Sequence, residues 1–211
     1  DILGAAGRRP VRIRDIERRA LLEQVLNRPD SPSRQLGAIA QTNGFITHLL
    51  QVIAQLKQAA IEPPVFRERV AARSPSNPFD DIVADAYAGY QERLQAAGLY
   101  DVPGLFWEAD LLCRQGRPTA FEGVGGILLA GFDDFPPSEF RLLSSLAPHV
   151  DFVVFGVNCG SDPSQKDLYA IPMRTVRAIH DAFGAEVTFL DDAVPTRCTE
   201  FAAAHLFWRD K

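Results

Sequence analysis

The feature that most restricts the fold is a pair of short, unbroken apolar runs, Gly126 to Ala130 (GILLA) and Asp151 to Val157 (DFVVFGV). Each is too short for an ordinary helix and lacks the alternation of a half-solvated strand, so each predicts a strand buried on both faces. Between them, Pro136-Pro137-Ser138-Glu139 opens a helix with Phe140, Leu142, Leu143 and Leu146 on one side. A helix joining two buried strands is the crossover of a parallel pair. The expectation is adjacent parallel strands with Ser138 to Ala147 as a right-handed crossover. Further on, Pro172 begins a helix carrying Val176, Ile179 and Phe183 that Gly184 ends. Glu186 to Leu190 (EVTFL) predicts a third strand and Thr199 to Phe207 a last helix. This part of the chain reads as parallel α/β.

The part before it reads as helices. Arg14 to Asn27 has apolar residues near helical spacing, and Gly44 to Ala60 carries one stripe of Phe45, Ile46, Leu49, Leu50, Ile53 and Leu56. Ile61-Glu62-Pro63-Pro64 stops that helix, because neither proline can donate the helical hydrogen bond. Asn77 is placed to cap a helix with Pro78 at its first position, and Gly98 closes it. Asp101 then caps a further helix through Leu105, Phe106, Ala109 and Leu112. Two domains are expected: residues 1–118, helical, and residues 119–211, α/β.

The 211 residues are 46% hydrophobic and 23% charged, which suits a globular chain and excludes collagenous, disulfide-rich and disordered classes. No apolar run approaches the roughly 18 residues of a membrane span, so no membrane partner is expected. The three cysteines, Cys113, Cys159 and Cys198, lie far apart with no CxxC pair. That usage fits a reducing compartment, and a cytoplasmic location is expected. The chain opens without Met and its one Met is Met173, the pattern of a piece of a longer protein. Net charge is -5, unevenly spread: 12 Lys/Arg against 7 Asp/Glu up to Pro75, and 10 against 20 from Ser76 on. Arg8, Arg9, Arg12, Arg14, Arg18 and Arg19 concentrate the positive end. Such a cluster offers planar forks of donors to phosphates, or else is a solvated helix face partnered by Asp15, Glu17 and Glu23.

Chemistry-bearing patterns are sparse. The GxxxxGK[ST] loop that cradles nucleotide phosphates is absent. Asp133 and Asp134 follow a buried strand at its carboxyl end, where α/β proteins place their sites. Asp80 and Asp81 fall in a helix's first turn, which the helix dipole favours, and Asp191 and Asp192 read as a turn. His48, His149, His180 and His205 have no metal-binding spacing. Cys159 follows a strand and is the one nucleophile candidate among the thiols.

At GILLAGFDDFPPSE, residues 126–139, the sequence resembles the inactivated helicase half of AddB/RexB-type helicase-nuclease subunits. There a buried strand leads through a Gly-Phe-x-Asp-Phe-x-Pro turn into a helix. Asn43 to Pro63 is similar to that family's GF…LxxLIxxLKxxxIxP helix, Asp80 to Asp101 to its DIxxIYxxYxxxLxxxGLxD segment, and Asp167 to Phe183 to a later helix. Together these cover about Asp15 to Phe207 in the family's order. The resemblance implies a helical 1B-like domain and part of a RecA-like, P-loop NTPase-like parallel sheet flanked by helices.

Superfamily 1 helicases end the equivalent strand in Asp-Glu-x-x-Asp; the first Asp holds Mg²⁺ and the Glu positions the attacking water. On that pattern Ile127, Leu128 and Leu129 match the strand, and Phe132 and Asp134 match trailing positions. Ala130 and Gly131 stand where the catalytic Asp and Glu would, leaving a degenerate Walker B of Ala130, Gly131, Asp133 and Asp134. The resemblance therefore implies a catalytically inert scaffold that contacts DNA beside a partner helicase-nuclease subunit in DNA repair. In that family an iron-sulfur nuclease domain carries chemistry; neither its carboxylate-and-Lys motif nor four cluster cysteines can be placed here, so no cofactor is expected in this chain. Two other readings stay open: a small α/β enzyme with a site at Asp133, Asp134 and Cys159, and a protein-interaction module.

Overall fold

The computed structural model describes residues 2–7, 9–75, 77–159, 167 and 169–188, and the backbone of 206–207. The chain divides into two compact units: Gly7–Ala109, and Asp110–Lys211 together with Asp1–Ala6. The boundary expected after Pro118 lies within the second of these units, which begins at Asp110. The division falls at Asp110 because Asp110 and Cys113 are bonded to residues of the second unit. Asp110 takes Ser145 Oγ at 2.6 Å and lies 2.9 Å from Arg141 Nε, and the Cys113 carbonyl is 2.6 Å from His149 Nε2.

In the first unit, a short strand β1 (Val11–Arg12) precedes helices α2 (Asp15–Leu26), α3 (Asn43–Gln58), α4 (Pro63–Ala71) and α5 (Pro78–Ala96). Strand β2 (Leu99–Tyr100) pairs parallel with β1 and leads into α6 (Val102–Gln115), whose residues from Asp110 on belong to the second unit. The preceding helix α1 (Ile2–Ala5) belongs to the other unit, where Thr119 Oγ1 donates to the Ala5 carbonyl at 3.0 Å. Helix ends follow local chemistry. The Thr42 hydroxyl accepts from Phe45 N–H at 3.3 Å, and the Asn77 side chain from Phe79 N–H at 3.1 Å with Pro78 in the first turn. The apolar stripes meet in one core of Leu22, Val25, Leu26, Ile46, Leu49, Ile53, Val83, Tyr87, Tyr90 and Leu94. Two features go beyond the expectations from sequence. Pro63 and Pro64 end α3's path but also open α4, since proline suits a helix's first turn. The β1–β2 pair, two residues a strand, is too short to leave a periodic signal.

In the second unit, β3 (Gly126–Ala130) and β4 (Phe152–Gly156) are adjacent and parallel, with Gly126 opposite Phe152 and Ala130 opposite Gly156. Helix α7 (Pro137–Leu146) lies between them in sequence, as the apolar runs predict. Gly126 carries no Cβ, and the Phe152 ring occupies the space one would need. Ile127, Leu129, Val153, Phe155 and Val157 share a core with Val176, Ile179 and Phe183 of α8 (Ala170–Phe183). The fold class is mixed α/β.

Three expectations are overturned in this unit. β3 is not buried on both faces: Leu128 is 57% exposed and Ala130 is exposed, because the packed helices cover one face. Among the described residues β3 also has a strand neighbour on one side alone. Glu186 forms an isolated bridge and Val187 and Thr188 lie outside any strand, while Phe189 and Leu190 fall outside the described residues. The last helix fails at its end, where β5 (Leu206–Phe207) pairs antiparallel with β4, so the sheet is not purely parallel. Thr199 to His205 lie outside the described residues.

Candidate functional site

The turn after β3 gathers the residues with the strongest functional claim. Ala130 is the last strand residue, and Gly131 turns the chain at φ +80°, where a side chain would strain the backbone. Phe135 then drops into the core, 8% exposed, stacked 5.0 Å from Phe132 and edge-on to Phe155 at 6.0 Å. Phe140 meets Phe183 edge-on at 5.4 Å, so the Gly-Phe-x-x-Phe-Pro-Pro sequence forms a hydrophobic anchor. The carboxylates stand outside it. Both Asp133 and Asp134 are exposed. Asp134 Oδ1 accepts from Phe135 N–H at 2.9 Å, and its Oδ2 lies 3.7 Å from Arg174, a solvated pair of small energetic weight. The buried Thr175 hydroxyl donates at 2.8 Å to the Asp133 carbonyl, fixing the turn to α8.

Ala130 and Gly131 thus stand side by side at a strand's carboxyl end, and neither has a side-chain atom that could coordinate a cation or orient water. Cys159 is half-buried among the core residues behind the sheet, and burial pushes its thiol up, away from the thiolate that attacks. Cys113, buried beside Asp110, is pushed up to about 11. No three His, Cys, Asp or Glu side chains gather as a metal would require, among the described residues. His48 is exposed, His149 is bonded at the Cys113 carbonyl, and His180 lies 3.1 Å from Asp181 in solvent. Asp80 accepts from Arg73 and from Asn77 in the first turn of α5, and Asp81 is exposed beside it. Asp191, Asp192 and His205 lie outside the described residues.

The arginine cluster is dispersed by its own helix. Arg14 pairs with Glu17, and Arg19 with Glu23 at 2.8 Å and with Asn43. Arg18 is half-buried, donating to Tyr90 Oη and Asp15 at 3.3 Å, and these partners with Asp101 raise its pKa against the cost of burial. Arg9 and Arg12 are exposed and form no ion pair among the described residues; Arg8 is not described.

Sequence reading misses a buried polar centre in the same unit. Lys57, fully buried, donates to Asp101 at 2.5 Å and Gln91 at 2.8 Å, with its ammonium 5.3 Å from the Trp107 ring and 6.0 Å from Tyr90. Asp101 also accepts from Gly104 N–H at 2.9 Å and Tyr90 Oη at 3.4 Å. A Cβ at Gly104 would lie 2.8 Å from the Asp101 carboxylate, so that helix turn needs glycine. Desolvation lowers the Lys57 pKa despite Asp101. Burial also raises the Tyr87 and Tyr90 phenols. Lys57 follows Ile46, Leu49 and Ile53 at helical spacing on the buried face of α3, so its position in the apolar stripe is the sequence signal that marks it. The centre is sealed from solvent and joins α2, α3, α5 and α6, so its chemistry is structural.

Comparison of the sequence with protein-family models and with curated proteins finds no match. No helix among the described residues is long and apolar enough to cross a membrane.

Proposed function

We propose that the chain is a catalytically inert, helicase-like scaffold that contacts DNA, part of a DNA-repair helicase-nuclease subunit of the AddB/RexB kind, working beside a partner subunit that supplies the motor. What supports this reading is the end of β3, which closes on Ala130 and Gly131; in the helicases that the sequence resembles, a metal-holding Asp and a water-positioning Glu would stand there. Around them the turn is built from packing groups, with Phe135 as its anchor and Asp134 engaged by Phe135 N–H. DNA contact in this reading falls to the exposed Arg9 and Arg12, since Arg14, Arg18 and Arg19 have protein partners. The enzyme alternative at Asp133, Asp134 and Cys159 loses support from the raised Cys159 thiol.

Titration with a fluorescent ATP analogue, with and without Mg²⁺, tests the reading. Mg²⁺ should leave the isotherm unchanged, because this reading gives the metal-holding position to the methyl side chain of Ala130. A saturable, Mg²⁺-dependent curve abolished by Asp134→Ala would contradict it.

A further inference from the structure

Beside the turn, a groove of about 520 Å³ runs between the end of α6, α7 and α8, within the size range of small-molecule sites. Phe135, Pro137, Phe140 and Ala178 supply apolar lining, and Arg114 stands at its rim. Arg114 is aimed by a buried carboxylate. Asp110, 3% exposed, takes Arg114 Nε at 3.2 Å while it is itself held by Ser145 Oγ at 2.6 Å and lies 2.9 Å from Arg141 Nε. Fixing Nε leaves the outer edge of the Arg114 guanidinium, its two Nη groups, without an acceptor among the described residues. That edge is the fork which takes an oxyanion through two parallel hydrogen bonds. The hydroxyls on the other walls already donate, Ser144 to the Phe140 carbonyl at 2.9 Å and Thr175 to the Asp133 carbonyl at 2.8 Å. Arg114 therefore offers a charged donor edge to a ligand beside an aromatic floor; Arg141 and the exposed Asp134, 3.7 Å from Arg174, also line the groove.

We propose that this groove binds a small organic anion: an oxyanion, carboxylate or phosphate, carried on a flat apolar body. The site is independent of the helicase-like reading, which assigns the groove nothing. The test uses the whole chain and the fluorescent probe 8-anilinonaphthalene-1-sulfonate. Displacement by 1-naphthoate, 1-naphthyl phosphate and the neutral 1-naphthalenemethanol separates carboxylate, phosphate and apolar recognition. Saturable one-to-one binding is expected, with the better anionic competitor displacing the probe at about tenfold lower concentration than the alcohol, the effect of a charge-assisted hydrogen bond. Arg114→Gln should erase that advantage and leave the alcohol unaffected, Arg114→Lys should restore part of it, and Ala178→Phe should exclude all three. Arg177→Gln, an exposed charge on α8 outside the lining, serves as control, and far-UV circular dichroism checks each fold. Non-saturable probe binding, or isotherms that Arg114→Gln and Ala178→Phe both leave unchanged, would overturn the proposal.

Discussion

Lys57 places an ammonium where no water reaches, and its partners decide what that costs. Two charge-assisted hydrogen bonds and two aromatic faces replace its hydration, so the pair with Asp101 fixes how α3, α5 and α6 meet. Removing one partner leaves the other buried and uncompensated, a loss of about 3–5 kcal/mol in comparable pairs. Lys57→Met should therefore lower the midpoint of urea unfolding followed by circular dichroism, and the pH dependence should identify the cause. The folded pKa is lowered from 10.5, so between the folded and unfolded values the unfolded chain holds a proton the folded one has released. Stability of the wild type relative to Lys57→Met should then rise as pH climbs toward 10.5. The raised Tyr87 and Tyr90 phenols, the Asp101 carboxylate and Arg18 face the same centre and remain in both proteins, so the comparison reports on Lys57. A difference independent of pH would show that packing, and not the charge, carries the loss.

Between β3 and α7, the turn is held by aromatic contact and not by its acidic residues. Phe135→Ala should cost about 3–5 kcal/mol, the range for an emptied aromatic site, whereas Asp133→Ala should cost little because that side chain is exposed. Equal losses in thermal unfolding for the two variants would refute this division. The same contrast explains what is legible in the sequence. The α3 stripe, the Asn77–Pro78 cap and the parallel partnership of β3 and β4 follow from periodicity, capping and continuous apolar runs, all local signals. Local signals fail where distant partners decide. Leu128 looks as buried as Ile127 in sequence, but only Ile127 faces α8's core. Glu186 to Leu190 has strand composition, yet residues 187 and 188 form no strand, and Leu206–Phe207 pairs with β4 where the sequence predicts a helix. Of the candidate site residues, the Ala130–Gly131 position is legible because it follows a recognisable strand. The fate of the arginines is not, since Arg18 turns inward to a tyrosine 72 positions away.

Charge is divided between the two units: Gly7–Ala109 holds 13 Lys/Arg against 12 Asp/Glu, and the rest of the chain 9 against 15. An acidic unit repels a polyanion, so in the proposed reading DNA contact falls to the first unit and to Arg9 and Arg12, which form no ion pair among the described residues. Fluorescence anisotropy with a forked oligonucleotide at low salt should give weak, sequence-independent binding that fades as salt rises and drops with Arg9→Ala/Arg12→Ala. A signal that persists unchanged in that variant would return the arm to a solvated face. The central claim, however, concerns hydrolysis. A phosphate cradle, a metal carboxylate and a water-positioning group must act together; this chain has no GKS or GKT sequence, and in the proposed reading the two catalytic positions fall on Ala130 and Gly131, which offer only a Cβ and a hydrogen. The most direct measurement is phosphate release from ATP with Mg²⁺ and single-stranded DNA. The account predicts no release above a protein-free blank, for the native chain and for Ala130→Asp/Gly131→Glu alike, because restored carboxylates still lack a cradle. Reproducible turnover by the native chain, abolished by Asp134→Ala, would contradict it.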